Sequence, residues 1–473
     1  MSALHITITA VSRFFFGSTA YRDKQIMKKG ITAIAAWLIV LLTWLPHAAL
    51  ANVIAWGENG LGNLGNNSNV DSALPVSVIA SGALAGKTIT QVSASFSNGA
   101  CALSSDGMVY CWGLNSSGEL GDGTYTPSDV PVAVDQSGAL AGKTVTAITS
   151  GVASRCALTS DGKVFCWGDN SSGQLGDNNG GVDSNVPRPV TGIVATKTVT
   201  SIKCGGLFCL ALTDEGLVYS WGENGSGQLG NADGTNTDLD VSTGVDATGA
   251  LSGKAVVAIA AASETGYALT SDGLVFSWGE SDAGQLGNNT MSPDALAPVA
   301  VFTGGLLNGK TVSKIAASGD SGYALTSDNG LYAWGEAGLG QLGNNSAVDS
   351  SVPVAVDVSG VLAGKTIAAV VGGGSTAYAL TTDGLIASWG GGASGQLGDG
   401  TFAASAGAPV LVSLAAVLSG RVVSALGAST ASAFAVLAAA PLPAAVPTLS
   451  SFAQIILVML MAFVFALRMS KRT

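Results

Sequence analysis

A Trp-Gly pair recurs seven times, at Trp56, Trp112, Trp167, Trp221, Trp278, Trp334 and Trp389, at intervals of 54 to 57 residues. A period this regular restricts the chain to folds that repeat one supersecondary unit. Nine residues after each Trp, a Gly closes a Gly-x-Leu-Gly string: Gly65, Gly121, Gly176, Gly230, Gly287, Gly343 and Gly398. Six residues before each Trp, from the second onward, stands an acidic residue: Asp106, Asp161, Glu215, Asp272, Asp328 and Asp383. The next residue is Gly in five copies and Asn329 in the sixth. Gly and Asn tolerate a left-handed backbone, so each copy predicts a tight hairpin turn. These positions account for much of the Gly content, 65 of 473 residues and about twice the ordinary share.

Around the turn each unit reads as four short strands. In the third copy they are Thr144 to Ile148, Arg155 to Thr159, Lys163 to Trp167, and a stretch near Val190. Four strands per repeat without helical periodicity predict an all-β propeller rather than an open β-solenoid. The ends support closure. The first unit, Asn52-Val53-Ile54-Ala55-Trp56, lacks its two upstream strands, and Arg421 to Leu426 with Phe434 to Leu437 supply two strands without a Trp-Gly. Joining the half-blades completes a seventh blade and removes both open edges.

The string from Gly151 to Gly176, with Ala-Leu-Thr-x-Asp-Gly, Trp-Gly-x-Asn and Gly-Gln-Leu-Gly, resembles the repeat of the regulator of chromosome condensation family. That resemblance covers residues 52 to 437 and implies a seven-bladed propeller. For function it implies guanine-nucleotide exchange factors or scaffolds among eukaryotic members, and, among secreted bacterial relatives, a protein inhibitor of β-lactamases. A propeller is a scaffold, so function must be argued from its surface.

Both termini read as export and sorting signals. Lys28 and Lys29 precede the apolar run Ile31 to Pro46, followed by Ala49-Leu50-Ala51. This predicts a secretory signal over 1–51, cleaved after Ala51 to leave Asn52 as the mature terminus, with Met27 as an alternative start. An uncleaved anchor helix is the alternative. At the other end come a small, Pro-containing linker (438–447), the apolar stretch Phe452 to Leu467, and a tail with Arg468, Lys471 and Arg472. The basic tail favours the cytoplasmic side, placing the repeats outside. The string Val446-Pro447-Thr448-Leu449 resembles the IPTL-type C-terminal sorting signals of Gram-negative bacteria, with Val446 in place of Ile. That implies a membrane-spanning segment over 448–473 and processing near the motif, a plain C-terminal anchor being the alternative.

Both histidines, His5 and His47, precede residue 52, so the mature chain has no imidazole for Ser-His-Asp or Cys-His chemistry or for His-ligated metals. Residues 52–437 hold 12 Lys and Arg against 30 Asp and Glu, the wrong sign for nucleic acid or an anionic lipid surface. Gly304 to Thr311 fits the phosphate-loop pattern Gly-x-x-x-x-Gly-Lys-Thr. It leads into the strand-like Thr311 to Ile315 rather than a helix, and Gly-Lys-Thr recurs at Gly86, Gly142 and Gly364, so the match belongs to the repeat. The loop Asp233 to Asp240 offers oxygen ligands for Ca²⁺, but its spacing fits no EF-hand, and a solvated loop is expected.

Counting from the Ser105-Asp106-Gly107 turn places Cys101 opposite Cys111, and the equivalent count places Cys156 opposite Cys166. In other blades these positions are Leu210/Ser220, Tyr267/Ser277, Tyr323/Ala333 and Tyr378/Ser388, so both are Cys or neither is. Joint replacement predicts disulfides in an exported chain. Cys204 and Cys209 pair by elimination and proximity. Buried free thiols are the alternative for all six, and hairpin pairs on different blades disfavour zinc. The expected function is a monomeric, non-enzymatic display module without cofactor. It binds a protein or glycan of the envelope or exterior through its longest loops, Asn66 to Gly86, Asp177 to Lys197 and Asn231 to Gly253. A secreted enzyme inhibitor is the alternative, for which aromatic anchors such as Tyr125, Phe302 and Phe402 would need to share a face. A hydrolase with a carboxylate site is the third reading.

Overall fold

A computed structural model describes residues 52–94, 98–418 and 420–439. The signal-cleavage residues Ala49 and Ala51, the motif Val446 to Leu449 and the apolar stretch after it lie outside the described residues. Among the described residues, no helix is long and apolar enough to cross a membrane.

Seven four-stranded antiparallel sheets follow one another around a central channel. Blade 1 has strands Ile89–Ala94, Gly99–Ser104, Val109–Gly113 and Ser128–Ala133, counted outward from the channel. Blades 2 to 6 repeat this over 145–189, 199–244, 256–300, 312–355 and 367–411. Blade 7 joins the chain's two ends: Arg421–Ala428 and Ser432–Ala439 form its inner half, Val53–Gly57 and Ser72–Ser77 its outer half. Val53 pairs with Val436 and Trp56 with Ala433, so the half-blades share one continuous ladder. The last strand extends two residues past 437, so the segment after the propeller begins later than the composition suggested.

Repeat residues join neighbouring blades. Each Trp is fully buried, and its indole N–H donates across the interface to a carbonyl in the Gly-x-Leu-Gly string of the preceding blade, at 2.8 to 3.0 Å. The closing Gly of that string lies beneath the same ring. At Gly398 the backbone φ is +67°, and an added Cβ would stand 2.7 Å from Trp56 Nε1. That explains the fixed spacing of Trp and Gly: they are partners across an interface rather than within one blade.

The structure contains disulfides Cys101–Cys111, Cys156–Cys166 and Cys204–Cys209. The first two join directly paired residues of second and third strands, while the third joins first and second strands of blade 3. Where blades 4 to 6 have Tyr in place of the first Cys, Tyr267, Tyr323 and Tyr378 donate to the carbonyls of Gln285, Gln341 and Gln396. A hydroxyl tether thus occupies the space of a covalent one. Removing one hairpin disulfide with Cys101→Ser/Cys111→Ser is expected to destabilise by about 2 to 3 kcal/mol. Cys101→Tyr/Cys111→Ser should recover roughly 1 kcal/mol of that by reaching the Glu119 carbonyl, as measured by urea denaturation. Equal stability of the two variants would rule this out.

The three stretches expected to be long loops each contain the outermost strand of a blade: Ser72–Ser77, Ser184–Pro189 and Leu239–Gly244. In the third copy the outer strand, Ser184–Pro189, ends directly beside Val190, as expected. These strands are half-exposed edges, two of them with Pro, at Pro75 and Pro187, and they lack the continuous burial of the second and third strands.

Candidate functional site

Antiparallel topology sorts the connections onto two faces. Links between first and second strands, and between third and fourth, emerge on one face, here the loop face. The Asp-Gly turns and the links between blades emerge on the other, the turn face.

The turn face is electrically balanced. Its ten carboxylates, Asp106, Asp135, Asp161, Asp214, Glu215, Asp246, Asp272, Asp328, Asp357 and Asp383, meet nine cations. In six blades a Lys from the link between blades bridges the acidic turn residue: Lys87–Asp106, Lys143–Asp161, Lys197–Glu215, Lys254–Asp272, Lys310–Asp328 and Lys365–Asp383. The lysine bonds hold Asp106, Asp161, Asp272 and Asp328 down to about 2. This gives the Gly-Lys-Thr recurrence a structural purpose: Lys310 of the phosphate-loop look-alike is one of these bridges, and Val312–Ser318 after it is a strand.

The loop face holds the other 20 carboxylates. Of the three remaining cations, Arg155 is buried, Arg188 pairs with Asp177 at 3.2 Å, and Lys203 lies on the channel wall. Nearly all of the excess negative charge therefore lies on one side. Part of it serves loop architecture: Asp183 Oδ1 accepts Asn170 N–H, and Asn170 Oδ1 accepts Leu175 N–H. The acidic loop over 233–240 is used likewise, Asp238 accepting Asn224 N–H, Asp233 accepting Thr235 N–H and Asp240 accepting Gly180 N–H. Its three carboxylates face separate donors.

In blades 3 to 5 the carboxylates crowd. Burial raises Glu280 to about 7, reinforced by Glu264, Asp282 and Asp320. Burial likewise raises Asp320 to about 6, with Glu336, Asp282 and Glu264 adding repulsion. Glu223 is shifted up by the same causes, burial first, then Glu264 and Asp238. A carboxylate whose folded pKa exceeds its unfolded value holds extra protons in the folded state between the two, so stability falls as pH rises through that window. Thermal stability should decline between about pH 4.5 and 7. Glu280→Gln/Asp320→Asn should flatten the decline, by about 1 kcal/mol after solvent screening. An unchanged pH slope in melting curves of the double variant would refute the assignment.

The same face carries exposed apolar side chains at matching positions, 13 to 15 residues after the Trp, in six blades: Val70, Tyr125, Val182, Met291, Val348 and Phe402. Tyr125, Val70 and Phe402 belong to blades 1, 7 and 6, which are neighbours across the ring closure. Phe302 is elsewhere, half-buried on the turn face against Gly304. The loop face thus has an aromatic and aliphatic arc around the closing blade and an acidic arc over blades 3 to 5. Neither was recognised from sequence, although the constant offset of the apolar residues from each Trp was available there.

A family model described as RCC1-like domain matches residues 52–437. Over 353 residues the chain is 33% identical to human E3 ubiquitin-protein ligase HERC2, covering 74% of this chain and 7% of that protein. It is 32% identical over 310 residues to the Arabidopsis thaliana ultraviolet-B receptor UVR8, covering 65% of this chain and 66% of that one. The chain therefore spans less than two thirds of the length of these curated relatives. Among solved structures, human WBSCR16 aligns with a TM-score of 0.70 at 23% identity, covering 82% of this chain and 99% of its own. Prp20p from Saccharomyces cerevisiae aligns with a TM-score of 0.68 at 20% identity, covering 82% and 92%.

Proposed function

This chain belongs to the RCC1-like domain family, and from that premise we propose that it is a non-catalytic module, exported and displayed at the cell envelope, that binds a cationic protein through its loop face. The observation that carries this reading is the charge division: 20 carboxylates on the loop face, beside exposed apolar side chains, against a turn face whose charges nearly cancel. Apolar anchors beside like charge favour a partner of opposite sign, which gains attraction on approach and apolar burial on contact. The structure of Prp20p is described together with its binding to Gsp1p and histones, which supports protein binding as a use of such propellers.

Display is supported by where the chain enters and leaves the ring. Val53–Gly57 begins and Ser432–Ala439 ends on the turn face, with Leu437 N–H donating to the Asn52 carbonyl. An anchor following residue 439 would turn the loop face away from the membrane. The inhibitor reading gains from Tyr125 and Phe402 sharing the loop face, and it differs only in that the partner is an enzyme.

The test is photo-crosslinking in the native cell with the probe at Tyr125, Phe402 or, as control, Phe302. Loop-face probes should capture a basic protein, and purified binding should weaken at least tenfold between 50 and 300 mM salt. Capture through Phe302 alone, a glycan partner, or salt-independent binding would overturn the proposal.

A further inference from the structure

Two of the three disulfides lie on different blades, yet their sulfurs meet. Cys156 Sγ is 3.7 Å from Cys204 Sγ and 3.9 Å from Cys209 Sγ, and Cys166 is bonded to Cys156. The hairpin pairs Cys101–Cys111 and Cys156–Cys166 stay apart on their blades, but the third pair, which sequence left to elimination and proximity, comes up against Cys156. The first strand of blade 3 packs against blade 2, where Cys204 N–H donates to Thr149 Oγ1 at 3.1 Å. Cys101–Cys111 has no such neighbour among the described residues.

A tetrahedral thiolate centre with metal–sulfur bonds of about 2.3 Å places its sulfurs about 3.8 Å apart. Cys156 Sγ stands at that edge from Cys204 and Cys209, and these three sulfurs lie within 4.8 Å of one another, whereas Cys166 lies outside the group. We propose that, once both disulfides are reduced, Cys156, Cys204 and Cys209 form a thiolate site for a soft divalent cation of the zinc type, which Cys166 completes as fourth ligand by turning its freed side chain inward. Loading is gated by redox state, because each sulfur must lose its S–S bond before it can ligate.

The channel supplies the route. Cys204 is 6% exposed and lines the channel wall, whereas the other three sulfurs are sealed between the blades. A phosphine entering the channel attacks Cys204 Sγ, and the electron pair of the broken S–S bond leaves on Cys209. Water hydrolyses the phosphorus–sulfur bond to phosphine oxide and the Cys204 thiol. The Cys209 thiolate then attacks Cys156 Sγ, the pair leaves on Cys166, and a second phosphine and water reduce the new Cys156–Cys209 bond. Two phosphines and two waters give four thiols and two phosphine oxides. One divalent cation displaces four protons and leaves a dianionic centre. Lys203, the charged residue of the channel wall among the described residues, precedes Cys204 and offsets part of that charge.

The full chain is reduced with a phosphine, freed of reductant under nitrogen and titrated with Co²⁺, whose thiolate charge-transfer bands report sulfur ligation, while native mass spectrometry counts bound metal. One Co²⁺ per chain, displaced by Zn²⁺, is expected. Cys204→Ser/Cys209→Ser should weaken binding at least 100-fold, while Cys101→Ser/Cys111→Ser leaves it unchanged. Absence of the bands in the reduced chain, or bands that survive Cys204→Ser/Cys209→Ser, overturns the site. A second variant covers the case in which the reduced ring unfolds. In oxidised Cys166→Ala the Cys156 thiol faces the remaining disulfide, and peptide mapping after acid quench should find Cys156 joined to Cys204 or Cys209 in at least a tenth of chains. A wholly free Cys156 overturns the proposed proximity.

Discussion

Gly398→Ala is expected to destabilise the propeller by about 3 to 5 kcal/mol, through positive-φ strain and overpacking acting together. The residue has φ +67°, and its new methyl would meet Trp56 Nε1 at 2.7 Å and Trp56 Cδ1 at 2.8 Å. Relaxing that contact means moving a fully buried indole whose N–H holds the Gln396 carbonyl at 2.9 Å. Gly86→Ala separates the two causes, because Gly86 has φ +73° but open space around its Cβ position. Its expected cost is about 1 kcal/mol, the backbone term alone. Differential scanning calorimetry of the pair decides the matter: a similar fall in Tm for both would mean that the Trp contact carries no weight.

Removing the last two strands, Arg421–Ala439, should have the larger effect and abolish the soluble monomer. Val53–Gly57 would lose its partner Ser432–Ala439 and expose a ladder edge. Ile54, Trp56 and Tyr378 would lose the shared cluster with Val423, Ala435 and Leu437. At about 25 cal/mol per Å² of apolar area, stripping several fully buried side chains removes more than the 5 to 15 kcal/mol that typically holds a domain folded. Size-exclusion chromatography should show aggregate or an expanded chain. A compact six-bladed monomer of normal Tm would show that closure is dispensable.

Much of the fold was legible because its devices recur in phase. The Trp spacing, the turn residues and the half-blades at the ends each follow from counting, and the register Cys101 to Cys111 follows from the position of one turn. What counting along the chain cannot reveal is which residues meet across neighbouring blades. Trp167 and the Glu119 carbonyl, or Cys156 and Cys204, are 48 residues apart and come together only when one blade packs on the next. The outer strands were obscured for another reason: an edge strand with a Pro and one wet face carries little periodicity. The face polarity was present in the sequence as a choice of connection for every carboxylate, but it becomes visible only once each connection is assigned a side. The acidic crowding of Glu280 and Asp320 needed coordinates, because the causes of their shifts include carboxylates from other connections.

The mixed composition of the seventh blade also sets a timetable. Trp56 reaches across 340 residues to Gln396, and Ser432 Oγ donates to the Glu58 carbonyl across 374. The inner strands of the same blade also reach blade 1, where Phe434 meets Trp112 edge-on, and contacts of high sequence separation form slowly because the loop they close must first be ordered. Six blades can be assembled by hairpins as the chain emerges, whereas the seventh waits for the final strand. Until then the first strand has no inner neighbour, and the chain remains open and pliable, a state that can still be threaded through a narrow passage. Closure of the ring thereby waits on the last strand of the propeller, Ser432–Ala439.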